Sequence, residues 1–180
     1  MLRARPSSAI ALAVVVVVAA PAAQAMEDQW HLGAGAGAGA FADADTTFGP
    51  VFGLHAAYGL NDMFDARLEG LVGLHERHHE RFSLSGVSAG LSYKVDVIEW
   101  VPYFGVQFGV YHLGGPERPD KLGRNELGMS VDLGLDYALS RTVGLGAQVR
   151  FHGFLGDPLA SLGEAPYLSA LLRAEYRWGW

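Results

Sequence analysis

Apolar and polar residues alternate with period two along most of the chain, in eight segments of about 10–14 residues separated by turn chemistry. The segments lie near 29–41, 50–60, 64–76, 82–94, 101–112, 126–139, 142–153 and 166–180. Period two is the repeat of a strand with unlike faces, because successive side chains leave the backbone on opposite sides. One phase is apolar throughout. It runs Trp30, Leu32, Ala34, Ala36; Phe52, Leu54, Ala56, Tyr58; Phe64, Ala66, Leu68, Val72, Leu74; and Val87, Ala89, Leu91, Tyr93. The second half repeats it in Phe104, Val106, Phe108, Val110; Leu127, Met129, Val131, Leu133, Leu135, Tyr137; and Val143, Leu145, Ala147, Val149, Phe151. Leu168, Ala170, Leu172, Ala174, Tyr176, Trp178 and Trp180 close the series. Short connections (60–63, 95–100, 140–141) alternate with generally longer ones (42–49, 77–81, 113–125, 154–165), as the two rims of an up-and-down barrel require.

The opposite phase collects Asp65, Arg67, Glu69, Lys94, Asp132, Asp136, Arg150, Arg173, Glu175 and Arg177, five acids and five bases. A soluble exported barrel, such as a lipid carrier, would turn its apolar phase inward and leave these charges in water, where nothing requires the signs to cancel. An enclosed interior does require it, because unpaired buried charge is costly. The pattern therefore predicts an all-β fold, an eight-stranded antiparallel up-and-down transmembrane β-barrel with an ion-pair-filled interior. Gly33, Gly35, Gly37, Gly39, Gly86, Gly90, Gly105, Gly109, Gly134, Gly144 and Gly146 share the inward phase and leave room for long side chains. Aromatic residues gather toward segment ends, as interfacial belts do. Trp30, Tyr58, Phe64, Tyr93, Trp100, Tyr137, Trp178 and Trp180 are expected at the rim of the short turns, and Phe41, Phe48, Phe52, Phe82, Phe151 and Phe154 at the other.

Residues 1–25 have Arg3 and Arg5, an apolar run from Ala9 to Ala20, and Ala23-Gln24-Ala25 as a small-x-small cleavage site, so they read as a cleaved signal peptide. The barrel domain then covers 26–180. The apolar run is short of the roughly 20 residues a spanning helix needs, so membrane insertion must use strands. Without Arg3 and Arg5, 11 Lys+Arg stand against 19 Asp+Glu, a formal charge of −8 that disfavours nucleic acid as a partner. Cysteine is absent, so neither disulfides nor thiol chemistry is available.

Tyr58-Gly59-Leu60-Asn61-Asp62 at a turn, Val101-Pro102-Tyr103-Phe104-Gly105-Val106 opening a strand, and the terminal Tyr176-Arg177-Trp178-Gly179-Trp180 resemble the eight-stranded outer-membrane barrel proteins. That group contains the transmembrane domain of outer membrane protein A and outer membrane protein X, and the resemblance covers the whole mature chain. It implies a bacterial outer-membrane location with both termini periplasmic and outer-membrane lipids and lipopolysaccharide as surroundings. It also implies an assembly signal in Tyr176, Trp178 and Trp180, read by the barrel-assembly machinery after delivery by periplasmic chaperones. Relatives more often end on Phe, so Trp180 is a departure. A monomer without cofactor is expected. Members of the group have roles from anchoring to adhesion to lipid modification, so the resemblance specifies architecture and not activity.

Three segments carry candidate chemistry. His75, His78 and His79, within His75-Glu76-Arg77-His78-His79-Glu80-Arg81, are metal-ligating residue types. A tight turn points neighbouring side chains apart, so the expectation is a solvated loop touching lipopolysaccharide phosphates rather than a metal site. Arg150-Phe151-His152-Gly153-Phe154 occupies a place comparable to the His-x-Ser of lipid A deacylases, but Phe154 replaces the serine and Ser161 is distant, so His152 is expected at the rim. The run Gly33–Ala40 leaves a thin alanine stripe that a second subunit or a lipid chain can approach closely. The expected function is a non-enzymatic envelope or surface-interaction protein acting through its loops. A deacylase-like lipid A enzyme and a small channel are the alternatives.

Overall fold

The computed structural model describes residues 28–42, 47–77, 79–95, 99–115, 124–155 and 166–179. The expected signal peptide and Trp180 lie outside these residues, as do His78, Ser161 and parts of the connections between strands.

Eight strands form: β1 (Trp30–Phe41), β2 (Thr47–Gly59), β3 (Phe64–Arg77), β4 (Glu80–Lys94), β5 (Trp100–Gly114), β6 (Asn125–Ala138), β7 (Val143–Phe154) and β8 (Tyr167–Trp178). Each pairs antiparallel with the next, and β1 pairs with β8 from Trp30↔Trp178 to Phe41↔Tyr167, which closes the barrel. Closure leaves no strand edge, the condition for β structure in a bilayer.

Short polar side chains set two of the turns. Asn61 Oδ1 accepts the backbone N–H groups of Met63 and Phe64, both at 2.9 Å, and so reverses the chain into β3. Ser140 Oγ does the same for Thr142 (3.2 Å) and Val143 (3.0 Å). The connection expected over 77–81 is shorter than that. The ladder continues to Arg77↔Glu80, and His79 adopts a left-handed φ of 69°. Both faces of the sheet are polar at this end, so no alternation marks the strands there.

The apolar phase faces outward and the charged phase inward on every strand, clearest on β8, where exposed and buried residues alternate without exception. At the rim shared by the termini, outward aromatics meet as pairs: Trp30–Tyr58 (4.9 Å between ring centroids), Phe64–Tyr93 (5.3 Å), Trp100–Tyr137 (4.8 Å) and Tyr176–Trp178 (5.8 Å). At the far rim the expectation needs correction. Phe48, Phe52 and Phe151 face outward, but Phe41, Phe82 and Phe154 point into the barrel and are buried. Too few polar groups face inward there to fill the space, and apolar rings close it instead.

Inward glycines set the bore. A Cβ on Gly37 would collide with the backbone carbonyl of Ala170, whereas one on outward Gly70 would meet only Gly86 O, at 4.0 Å. Gly37→Ala is therefore expected to reduce the heat-modifiable, folded fraction on gels and Gly70→Ala to leave it unchanged; equal behaviour of the two would contradict this packing.

Candidate functional site

The strands deliver their inward side chains to one continuous interior with two zones. The zone toward the termini is ionic. Lys94 Nζ lies 2.6 Å from Asp65 Oδ1. Asp132, fully buried on β6, is a hub: Arg67 (3.6 Å) and Arg150 (3.5 Å) approach it, and Gln148 donates to it at 3.0 Å. Arg150 also pairs with Glu69. Glu175 is a second hub. It accepts from Arg173 (3.0 Å) and Arg177 (2.7 Å), and the rings of His31 and His55 each approach it to 3.0 Å. Arg173 reaches Asp136 as well, at 3.5 Å. Tyr103 joins the two hubs, because the Arg67 guanidinium stacks 4.5 Å from its ring centroid and Arg173 donates to its hydroxyl.

All ten residues expected inside are buried there, and Glu126 is a further buried acid, giving six acids and five bases among the described residues. His31, His55, Tyr103, Gln107 and Gln148 belong to the same interior and were not singled out from the sequence. Their inward phase was the available signal, but a search confined to formal charges passes over them. Two histidines and a carboxylate match a metal-ligand set in residue type only, since Arg173 and Arg177 already occupy the Glu175 carboxylate.

The far zone is aromatic. Phe41 packs against Tyr167 (4.7 Å between centroids), Phe82 (5.7 Å) and Phe154 (6.2 Å). Leu84 and Leu113 complete the plug. Two histidines expected on the outside are embedded in it. His75 is not part of a solvated loop but is buried beside Tyr167, its Nε2 3.2 Å from the phenol oxygen. His152 is not at the rim but inside, with Nδ1 3.2 Å from Tyr111 Oη and Nε2 3.3 Å from Ser169 Oγ. His79 is exposed and 4.0 Å from Glu76. Thus His75 is buried inside the barrel while His79 is exposed at the hairpin tip, and among the described residues no cluster of three or more His, Asp or Glu is arranged to hold a metal ion.

Between the zones, the cavity beside Gly35, Gly53, His55 and Glu69 measures about 10 Å³, room for about one water molecule. Among the described residues the arrangement is a core filled by side chains, which can brace the wall.

The sequence profile of the outer membrane protein beta-barrel domain matches residues 9–159. The chain belongs to this family. As an outer-membrane barrel it is similar in fold to three solved structures. Neisserial surface protein A is 16% identical, with a TM-score of 0.69 over 82% of this chain and 96% of that one. Ail, the attachment invasion locus protein of Yersinia pestis, is 14% identical, with a TM-score of 0.56 over 85% and 100%. The outer membrane enzyme PagL is 11% identical, with a TM-score of 0.55 over 81% and 97%. No curated protein matches the sequence. At these identities the likeness is one of fold. In this outer-membrane barrel Tyr176 and Trp178 of the expected assembly signal stack on the outer surface of β8.

Removing Asp132 leaves the buried Arg67 and Arg150 guanidinium groups to share the single carboxylate of Glu69. Asp132→Ala is expected to destabilise the barrel by about 3–5 kcal/mol in urea unfolding from lipid bilayers. Leu133→Ala, its lipid-facing neighbour, is expected to cost less, and the reverse order would show that the ionic core does not brace the wall.

Proposed function

We propose that the protein is a closed, non-enzymatic outer-membrane barrel with both termini in the periplasm, acting at the cell surface through the connections at its far rim. The observation that carries this reading is the filling of the interior from end to end by ion pairs below and aromatic rings above. Eight strands enclose a bore just wide enough for side chains, and here side chains occupy it. Binding is then left to the connections between β5 and β6 and between β7 and β8. Polar loops on a rigid scaffold are where recognition usually resides. The name of Ail, an attachment invasion locus protein of the same fold, accords with a surface role. Assembly through the barrel-assembly machinery and periplasmic chaperones, a monomeric state and contact with lipopolysaccharide belong to the same proposal.

The enzyme reading has one contact in its favour, the approach of His152 to Ser169. Both residues are almost fully buried, beneath Phe154 and Tyr167, so an acyl ester in the bilayer does not reach them. A serine needs both an adjacent base and access to its substrate to act as a nucleophile.

The test compares cells lacking the protein with cells carrying it whole or with residues 116–123 and 156–165 replaced by Gly-Ser linkers. Surface attachment is expected to fall in the deletion and the linker variant alike, while the linker variant stays heat-modifiable and the lipid A mass profile is identical in all three. Attachment unchanged by the linkers, or lipid A lighter by one acyl chain only when the protein is present, would overturn the reading. In planar bilayers the purified protein is expected to give no discrete conductance steps; regular steps would favour the channel.

A further inference from the structure

The two hubs of the ionic core are joined through Tyr103 on the β5 side. Away from β5, the small cavity beside Gly35 and Gly53 is lined by a member of each: Glu69 of β3, which shares Arg150 with Asp132, and Arg173 of β8, which donates to Glu175. His55 and Gln148 complete its polar lining.

Glu69 and Arg173 are each only partly engaged. Glu69 Oε2 takes Arg150, whereas Oε1 lies 3.7 Å from Arg67 Nη1, beyond hydrogen-bond reach. Arg173 donates through Nη1 to Tyr103 and through Nη2 to Glu175. Among the described residues neither Glu69 Oε1 nor the Arg173 Nε–H has a hydrogen-bond partner, although both side chains are more than nine-tenths buried. A buried donor or acceptor left in that condition keeps the whole cost of its desolvation.

One donor and one acceptor define what fits between them. A water molecule accepts from Arg173 Nε–H and donates to Glu69 Oε1 at once. A cation satisfies the carboxylate but faces the guanidinium, an anion does the reverse, and an apolar group satisfies neither. Size gives the same answer, because about 10 Å³ holds one water and no larger ligand.

We propose that one ordered water occupies this site as a fixed part of the fold, hydrogen-bonded between Arg173 Nε and Glu69 Oε1. It ties the Glu175 hub to the Asp132 hub by a second route, independent of Tyr103 and of whatever the far-rim connections bind at the surface.

Gly53 provides the probe. A β-carbon there meets Leu171 Cδ1 at 3.4 Å and Gly70 O at 3.6 Å, ordinary van der Waals distances, so alanine fits without moving the wall. Filling a dry cavity with a methyl group stabilises a protein. Filling this one displaces the water and leaves a buried donor and a buried acceptor bare, so the sign reverses. In urea unfolding of the whole barrel from lipid bilayers, Gly53→Ala is expected to raise the unfolding equilibrium constant about tenfold relative to Gly70→Ala, whose added methyl faces lipid. Gly53→Ser, which brings a hydroxyl in place of the water, is expected to recover most of that loss. Heat-modifiable migration on gels reads the folding of each variant. Gly53→Ala as stable as Gly70→Ala, or more stable than Gly53→Ser, is the behaviour of a dry cavity and would overturn the proposal. The wild-type barrel gives a reading that needs no variant to fold: a high-resolution crystal structure is expected to show a water within hydrogen-bond reach of both atoms, and an ion there, no density, or direct contact of Glu69 with Arg173 would contradict it.

Discussion

A bilayer offers backbone amides no solvent to bond with, and that constraint shapes this molecule. A sheet can enter hydrocarbon only if its first strand finds its last, as β1 finds β8 over the whole length of both. Once closed at eight strands, the sheet fixes its own interior, a bore that side chains must fill without voids or unpaired charge. Asp132 and Glu175 answer the electrostatic half of that demand, each drawing cations and polar side chains from several strands. Removed from water, such charges need several partners to offset their desolvation, and each hub has them. The aromatic plug around Phe41 answers the packing half.

Facing was legible from sequence because two environments of opposite polarity lie either side of a one-residue-thick wall. Wherever that contrast holds, as from Leu168 to Trp178, alternation assigns each side chain correctly. It fails where the contrast vanishes. Phe41, Phe82 and Phe154 are apolar residues facing an apolar interior, so polarity alone cannot distinguish them from rim aromatics facing lipid. His75 and His152 were misplaced for the same reason in reverse: a polar ring near a strand end suggests solvent, but each finds a phenol hydroxyl within the plug. The hairpin at His79 escaped because charged residues on both faces erase the period. Which inward residues meet is likewise a matter of register across the barrel, and contacts such as His55 with Glu175, 120 residues apart, have no local signature.

The same wall reads differently from its two sides. Inside, glycines accommodate rings and guanidinium groups, as where Gly134 lies against Tyr103 and Gly144 against Arg177. Outside, the gaps left by Gly53 and Gly86 lower the floor of a groove, and Gly70 opens its edge. Interior packing and outer-surface shape are thus coupled residue by residue, and a substitution that tightens the core alters the lipid-facing relief.

The central claim is the facing itself. Because the chain has no cysteine, single cysteines can carry nitroxide labels at successive positions from Leu168 to Tyr176 in the bilayer-reconstituted protein. Oxygen accessibility is expected to alternate with period two, with maxima at Leu168, Leu172 and Tyr176 and minima at Ser169, Leu171 and Glu175; maxima on the second set, or no alternation, would contradict the account.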